Sequence, residues 1–162
     1  MKSIVTGGAG FIGSHLVDKL LDIGHDVVVL DNFSTGRKEN LSHVDGKIKL
    51  VECDLSIKGK WMEEFKNVEW VFHLASLADI VPSIQNPEGY FRSNVDATFY
   101  VLEAARREEI KRFIYSASSS CYGTPDQYPT PEESDIRMRS RSILGRSWYC
   151  IGGGSMICPS YR

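Results

Sequence analysis

Short apolar runs alternate with amphipathic stretches over residues 1–116. Five runs have the length and composition of β-strands, and they cover the residues before Gly7 and then 26–30, 48–52, 70–74 and 113–116. Between them, apolar residues recur at intervals of three and four, which is typical of helices packed on one face. This alternation predicts an α/β fold, a Rossmann-type doubly wound parallel sheet with helices on both faces.

Three helices are predicted from these spacings. The first begins after Gly10 and stops at Gly24, and its apolar face is expected to consist of Ile12, Leu16 and Leu20. The second is short and lies around 61–66. The third is long and follows Pro87, with an expected apolar face made of Phe91, Val95, Thr98, Leu102 and Ala105. Core positions are the default for the aromatic residues Trp61, Trp70, Phe72, Tyr90, Phe91 and Phe99.

Three glycines spaced three apart separate the first strand from the first helix: Gly7, Gly10 and Gly13. The first permits a tight turn, the second lets the backbone approach a pyrophosphate, and the third lets the helix pack closely. The helix N-terminus then offers free N–H groups and a positive dipole end to phosphates. The spacing indicates a dinucleotide site, although an ordinary turn explains the glycines by themselves equally well.

An acidic residue ends the second strand. Asp31 lies eighteen residues after Gly13, close to the spacing at which a carboxylate meets the adenosine ribose. It would accept hydrogen bonds from the ribose hydroxyls and repel a 2′-phosphate, so NAD is favoured over NADP. Arg37 lies six positions further on and could serve a phosphate only if Asp31 left room for it. The alternative for Asp31 is a solvated strand end.

Composition narrows the remaining classes. With 162 residues, 42% hydrophobic and 25% charged, the chain is expected to form one globular domain. A net charge of −2 with interleaved signs argues against nucleic-acid and membrane binding, and no apolar run is long enough for a span. The sequence has four cysteines, none of which form a C-x-x-C pair: Cys53, Cys121, Cys150 and Cys158. This spacing favours reduced thiols in a cytoplasmic protein. No metal site is expected.

Several further motifs stand in a fixed order along the chain. They are Thr6 to His15, Leu30-Asp31-Asn32, Asp54-Leu55, His73-Leu74-Ala75, Asn94-Val95, Leu102 to Ala105 and Ser116 to Gly123. Together they resemble the extended short-chain dehydrogenase/reductase family, and within it the NAD-dependent nucleotide-sugar epimerases, which act on substrates such as UDP-sugars. The resemblance covers residues 1–134 and implies a Rossmann NAD-binding domain there.

The resemblance also implies which residues contact the cofactor. The family's adenine loop matches Asp54-Leu55, its pyrophosphate and ribose segment matches 74–77, and Asn94 is expected near the cofactor. The full predicted set is Gly7, Gly10, Phe11, Ile12, Gly13, Asp31, Asn32, Asp54, Leu55, Leu74, Ala75, Ser76, Asn94 and Ser116. His73 is interpreted as a buried core histidine and not as a catalytic residue.

The catalytic residues match only in part. In this family a tyrosine removes the proton from the sugar 4-hydroxyl, a serine or threonine binds the same oxygen, and a lysine four positions after the tyrosine lowers its pKa. Ser118, four residues before Tyr122, matches the serine. No tyrosine of the sequence has a lysine four positions later, and the nearest resemblance has Leu144 and Trp148 in their places. Tyr149 is the substitute base to consider.

The subclass and the domain limits remain expectations. Ser119, Ser120 and Cys121 carry no carboxylate, so an epimerase is preferred to a dehydratase. Residues 135–162 are interpreted as a divergent tail in place of the catalytic helix, with the sheet incomplete on its C-terminal side and no C-terminal substrate domain. The chain is then an epimerase-like half that is inactive as written, or a non-catalytic NAD-binding module. The resemblance implies a homodimer as the assembly.

Overall fold

The computed structural model describes residues 1–117 and the backbone of 155–157. It contains one sheet whose strand order is β3-β2-β1-β4-β5-β6. The strands are β1 Lys2–Thr6, β2 Asp26–Asp31, β3 Ile48–Glu52, β4 Trp70–His73, β5 Arg112–Ser116 and β6 Ser155–Ile157. The first five strands are parallel, with Val5 opposite Val29 on one side and Phe72 on the other. The predicted Rossmann-like α/β fold is confirmed.

A sixth strand was not predicted from the sequence. β6 pairs antiparallel with β5, so that Tyr115 faces Met156 across the ladder. The strand is three residues long and follows the three glycines 152–154, a context that gives no strand signal. The edge of β5, which the sequence left without a neighbour, is therefore paired over a short stretch.

Two apolar clusters cover the two faces of the sheet. On one face, Val5, Val27 and Val29 pack with residues of the first helix, α1 Phe11–Asp22. On the other, Ile4, Val28 and Leu30 pack against a 3-10 turn at Lys60–Phe65 and against the helix α4 Ala97–Arg107. Alternate residues of one strand thus enter opposite clusters, as expected for a sheet covered on both sides.

The first helix begins and ends as predicted, but its buried face differs. Gly24 adopts a φ of 81° just after the helix and its N–H donates to the Leu21 carbonyl at 2.9 Å, which terminates α1. Val17 and Leu20 are buried, whereas Ile12 is 67% exposed. Ile12, which was expected on the apolar face together with Leu16 and Leu20, lines the cavity described below.

The helix expected after Pro87 is interrupted. Two short helices, α2 Ile80–Gln85 and α3 Pro87–Phe91, precede a π-helical turn at Arg92–Asp96, which continues into α4. A π turn holds an extra residue, so it rotates the positions that follow it relative to a regular helix. The buried residues are consequently Tyr90, Asn94, Ala97, Val101, Ala104 and Ala105. Phe91, Phe99 and Leu102 are exposed, and their assignment to the core is wrong.

Candidate functional site

A cavity of about 490 Å³ opens at the carboxyl ends of the parallel strands. Every residue in the predicted cofactor set lines it except Asn94. Several lining residues were not in that set, namely Ser34, Thr35, Gly36, Cys53, Ala78, Ser93 and Ala97. The carboxyl end of a parallel sheet is where ligands of doubly wound folds bind, so the fold and the sequence motifs indicate the same place.

The glycine-rich turn between β1 and α1 forms one wall of the cavity. Gly7 has a φ of 68°, and a Cβ there would lie 2.8 Å from the backbone nitrogen of Ala75. A Cβ at Gly13 would lie 2.7 Å from the Cα of Gly8. Both positions therefore require glycine: the first lets β1 approach the loop after β4, and the second lets α1 pack on the turn.

The N-terminus of α1 faces the cavity. Its N-cap residue is Gly10, which has no side chain to accept a hydrogen bond from the first turn. The first N–H that bonds back to the N-cap carbonyl is that of Ser14, at 3.0 Å. The N–H groups of Phe11 and Ile12 precede it in the first turn, where an α-helix has no internal acceptor for them. The arrangement suits an anion such as a pyrophosphate.

Asp31 forms the opposite wall and is 6% exposed. One carboxylate oxygen accepts a hydrogen bond from the Ala9 N–H at 2.9 Å. The other accepts from the Phe33 N–H at 2.8 Å. Each oxygen has a second lone pair, so the carboxylate retains capacity for two further donors such as ribose hydroxyls. The solvated strand end considered from the sequence is thereby excluded.

The residues after β3 border the cavity beyond Asp31. One oxygen of Asp54 accepts from the Ser56 N–H at 2.9 Å and from its hydroxyl at 2.7 Å, which fixes the turn. Cys53 beside it is a free cysteine. Burial, together with the negative charges of Asp31 and Asp54, raises the pKa of the Cys53 thiol to about 12. The thiol is therefore protonated and unreactive at neutral pH.

His73 is buried behind the cavity in a hydrogen-bonded chain of fixed polarity. The Thr6 hydroxyl oxygen accepts from the N–H groups of Leu74 and Ala75, both at 3.2 Å. Its proton therefore goes to His73 Nδ1, 2.7 Å away. On the other side of the ring, His73 Nε2 is 3.0 Å from the hydroxyl of Thr98, which donates to the Asn94 carbonyl at 2.7 Å.

These contacts assign the tautomer: Nδ1 accepts and Nε2–H donates, so the ring is neutral. Burial lowers the pKa of His73 to about 4. Tyr115 stacks on the ring with its centroid 5.7 Å away, and burial raises the pKa of that phenol. His73 lies outside the set of lining residues, which agrees with its interpretation as a core residue that ties the loop after β4 to β1 and α4.

Asn94 supports the site from behind. Its side chain is 2% exposed; its oxygen accepts from the Leu77 N–H at 2.8 Å and its amide donates to the Leu77 carbonyl at 2.9 Å. Asn94 therefore holds the loop that carries Leu74, Ala75 and Ser76. Asn94 thus contacts a loop that lines the cavity without lining the cavity itself, and its expected place near the cofactor stays a prediction.

The other predicted catalytic positions lie outside the residues that the structure describes. Ser118 follows the last described residue before the gap, and Leu144, Trp148 and Tyr149 fall within it. The same holds for most of the predicted tail 135–162. Within residues 1–117, no group of three or more histidine, cysteine, aspartate or glutamate side chains could hold a metal ion. In the same part of the chain, none of the helices is long and apolar enough to cross a membrane.

Comparison with known proteins places this site in a family. Residues 3–147 match the sequence model of the NAD dependent epimerase/dehydratase family. The UDP-glucose 4-epimerase of Mycolicibacterium smegmatis is 39% identical to this chain over 154 residues, which are 90% of this chain and 48% of that protein. The UDP-glucuronic acid decarboxylase 1 of Arabidopsis thaliana is 40% identical over 134 residues, which are 82% of this chain and 29% of that protein.

A solved structure extends the comparison to the fold. The crystal structure of UDP-glucose 4-epimerase from Bifidobacterium longum in complex with NAD+ and UDP has a TM-score of 0.76 and 31% identity, covering 85% of this chain and 43% of that chain. The chain spans less than half the length of each of these three proteins. The family predicted from the sequence motifs is confirmed.

Proposed function

The chain belongs to the NAD dependent epimerase/dehydratase family, and from that premise we propose that it binds NAD in this cavity as the cofactor-binding part of a nucleotide-sugar 4-epimerase. The proposal rests on one observation: the glycine-rich turn, the N-terminus of α1 and the Asp31 carboxylate line the same cavity. A dinucleotide would place its pyrophosphate at the turn and the helix N-terminus, and its ribose diol at Asp31.

The residues present fit the cofactor. The cavity volume of about 490 Å³ lies in the usual range of cofactor sites, roughly 300–1,000 Å³. The N–H groups of Phe11 and Ile12 would receive the pyrophosphate, and the segment 74–76 would border the nicotinamide ribose. Asp54 and Leu55 would border the adenine. NAD, when bound, supplies the acceptor and later the donor of the hydride at the sugar carbon.

Asp31 makes NAD the preferred cofactor over NADP. Its carboxylate is buried and already bonded to two backbone N–H groups, so it cannot turn away from a 2′-phosphate. A phosphate placed there would meet a negative charge in a poorly solvated site, where repulsion is strong. The ribose diol of NAD instead brings two donors to an acceptor with room for them.

The substrate class rests on the relatives. A UDP-glucose 4-epimerase is 39% identical, and the structure from B. longum is named as a complex with NAD+ and UDP. In the proposed reaction Ser118 would hold the 4-hydroxyl oxygen of a UDP-sugar. A serine hydroxyl does not accept a proton at neutral pH, so the reaction also needs a base. The sequence has no Tyr-x-x-x-Lys pair to supply one, and we therefore propose that this chain binds the cofactor without epimerising.

Two alternatives have their own observations. A decarboxylase is 40% identical, but such reactions need a further positioned acid, and Ser119, Ser120 and Cys121 offer none. A non-catalytic NAD-binding module is favoured by the missing tyrosine–lysine pair. Both alternatives keep the same cofactor site. We also propose that the protein is cytoplasmic and forms a homodimer. Light scattering of the purified chain would test the dimer.

Isothermal titration calorimetry of the purified chain with NAD tests the proposal. Saturable binding with a dissociation constant of about 1 mM or tighter would support it. Absence of binding up to that concentration, in a sample whose circular dichroism shows a folded α/β protein, would overturn it. Titration with UDP-glucose in the presence of NAD separates a site for both ligands from a site for the cofactor alone.

A further inference from the structure

Ala9 makes three hydrogen bonds to the end of β2 and to the segment that follows it. Ala9 is fully buried and lies between the turn glycines and Gly10, the N-cap of α1. Its N–H donates to Asp31. Its carbonyl oxygen accepts from the Arg37 N–H at 3.0 Å and from the side-chain amide of Asn40 at 2.8 Å. Only the last of these bonds comes from a side chain that lies outside the cavity.

The segment reaches Ala9 because one glycine lets it approach. A Cβ at Gly36 would lie 2.9 Å from the Cβ of Ala9 and 3.0 Å from a carboxylate oxygen of Asp31. The chain then enters a 3-10 turn at Lys38–Val44. Close packing at Gly36 thus brings residue 40 back over the glycine-rich turn.

The base of the segment is anchored in the core. Leu41 and Val44 are buried in the same cluster as Val17 and Leu20 of α1. The N–H of Asn40 itself donates to the Arg37 carbonyl at 3.1 Å. The backbone of Asn40 is therefore fixed by packing on α1, and its half-buried side chain has a defined reach to the Ala9 carbonyl.

The position of this carbonyl matters for the site. The Ala9 carbonyl and the Gly10 N–H belong to one rigid peptide plane. That plane leads directly into the first turn of α1, whose N–H groups face the cavity. We propose that Asn40 is a positioning residue for the cofactor: by holding the Ala9 carbonyl it sets the orientation of the N–H groups that receive the pyrophosphate. This inference rests on the proposed binding of NAD in the cavity.

The same segment lines the other end of the cavity through Ser34, Thr35 and Gly36. Asn40 therefore joins the adenosine end of the site to its pyrophosphate end. Asn40 does not line the cavity. Because it bonds the Ala9 carbonyl beside the glycine-rich turn, its removal should affect the pyrophosphate end more than the adenosine end. Adenosine uses only the end beyond Asp31, whereas ADP-ribose uses both.

The test measures adenosine and ADP-ribose binding to the full chain and to Asn40→Ala by calorimetry or ligand-observed NMR. We expect Asn40→Ala to weaken ADP-ribose by about tenfold, the usual size of one lost hydrogen bond, and adenosine by less than about twofold. Ser42→Ala is the matched control, because the Ser42 hydroxyl bonds the Glu39 carbonyl within the same 3-10 turn without touching Ala9. It should leave both affinities unchanged.

A second variant gives a readout that simple loss of structure would not produce. Asn40→Asp has nearly the same shape but faces the Ala9 carbonyl with a carboxylate, which cannot donate until it is protonated. The ratio of its ADP-ribose dissociation constant to that of the unaltered chain should be large at about pH 7.5 and shrink at about pH 4, where an aspartate is about half protonated. A ratio that does not change with pH would overturn the proposal, even if Asn40→Ala fails to fold.

The other outcomes are distinguishable. If the unaltered chain binds no ADP-ribose, the proposed function fails. If it binds and Asn40→Ala binds equally well, the role of Asn40 is wrong. Equal weakening of adenosine and ADP-ribose by Asn40→Ala would assign Asn40 to general stability and also overturn the positioning role.

Discussion

The carboxylate of Asp31 accepts a hydrogen bond from the backbone N–H of Ala9 at a distance of 2.9 Å. This bond joins the end of β2 to the glycine-rich turn after β1, across 22 residues of sequence. Asp31 therefore has two tasks, which the sequence showed as one. It holds the glycine-rich turn, and in the proposed complex it would present negative charge to the ribose of NAD.

The first prediction separates these tasks. The chain should bind NAD at least about tenfold more tightly than NADP. Asp31→Asn removes the charge but keeps one oxygen acceptor, so it should bring the ratio of the two affinities close to one. Asp31→Ala also leaves the N–H groups of Ala9 and Phe33 without their acceptor. It should weaken both cofactors in addition to removing the preference.

Calorimetric titration of each variant with NAD and NADP measures both effects. Asp54→Asn is the matched control, since Asp54 is also a carboxylate that lines the cavity but would border the adenine in the proposed complex. It should change the affinities for NAD and NADP by the same factor. Equal binding of both cofactors by the unaltered chain would contradict the role of Asp31.

The second prediction concerns close packing in the glycine-rich turn. Gly13→Ala should weaken NAD binding by more than about tenfold and lower the free energy of unfolding by about 1–3 kcal/mol. The reason is that a Cβ at residue 13 would lie 2.7 Å from the Cα of Gly8, so α1 must move away from the turn.

Gly59→Ala serves as the control for added volume. A Cβ there would approach Trp61 at 3.3 Å, and neither residue lines the cavity. Binding should be retained in this variant. Urea unfolding and NAD titration on both proteins make the comparison. If Gly13→Ala binds NAD as tightly as the unaltered chain, close packing of α1 on the glycine-rich turn is not needed for binding.

The third prediction is a loss of stability in acid that comes from His73. Burial lowers the pKa of His73 to about 4, from 6.5 in the unfolded chain. Below pH 6.5 the histidine is protonated in the unfolded chain but stays neutral in the folded chain. The contribution of neutral His73 to the free energy of unfolding is therefore complete above pH 6.5 and is lost as the pH falls towards 4. The whole loss should be on the order of 3 kcal/mol.

Urea unfolding at about pH 7.5 and about pH 5 measures it. His73→Gln should start less stable, because it breaks the bonds to Thr6 and Thr98, but it should lose less stability between the two pH values. His25→Gln is the control: His25 is also buried, bonded to Ser3 at 2.8 Å, and its removal should leave the difference due to His73 intact. Equal pH dependence in His73→Gln and the unaltered chain would contradict the assignment.

The strands and the glycine-rich turn could be predicted because their signals are local. Runs such as Val27 to Leu30 are apolar on both faces, and the spacing of Gly7, Gly10 and Gly13 is contiguous in sequence. Ser34, Thr35 and Gly36 also line the cavity, and their position directly after Asp31 was a signal that could have included them.

The long-range features of the site could not be predicted in this way. Asn40 meets Ala9 across 31 residues, and Asn94 meets Leu77 from within a π-helical turn. A regular helical period assigns the core to Phe91 and Leu102, and nothing in that period marks an extra residue in the turn. Ser93 and Ala97 reach the cavity for the same reason, through tertiary geometry that the pattern of residues does not carry.

The last prediction is that this chain, as written, does not epimerise a nucleotide sugar at a useful rate. Removing the 4-hydroxyl proton requires a base, and the loss of such a positioned group commonly costs about 10²- to 10⁴-fold in rate. The sequence has leucine at 144 and tryptophan at 148, where the family's tyrosine and lysine are expected. Leucine has no proton to exchange, and tryptophan has no charge to lower a neighbouring pKa. The purified chain is mixed with NAD and UDP-galactose, and UDP-glucose is followed by a coupled assay. A full-length relative that has the tyrosine and the lysine is assayed beside it. Turnover of the unaltered chain within about tenfold of the relative would mean that another base replaces the pair, with Tyr149 the first residue to substitute. NAD binding by this chain without turnover, beside turnover by the relative, would support the prediction.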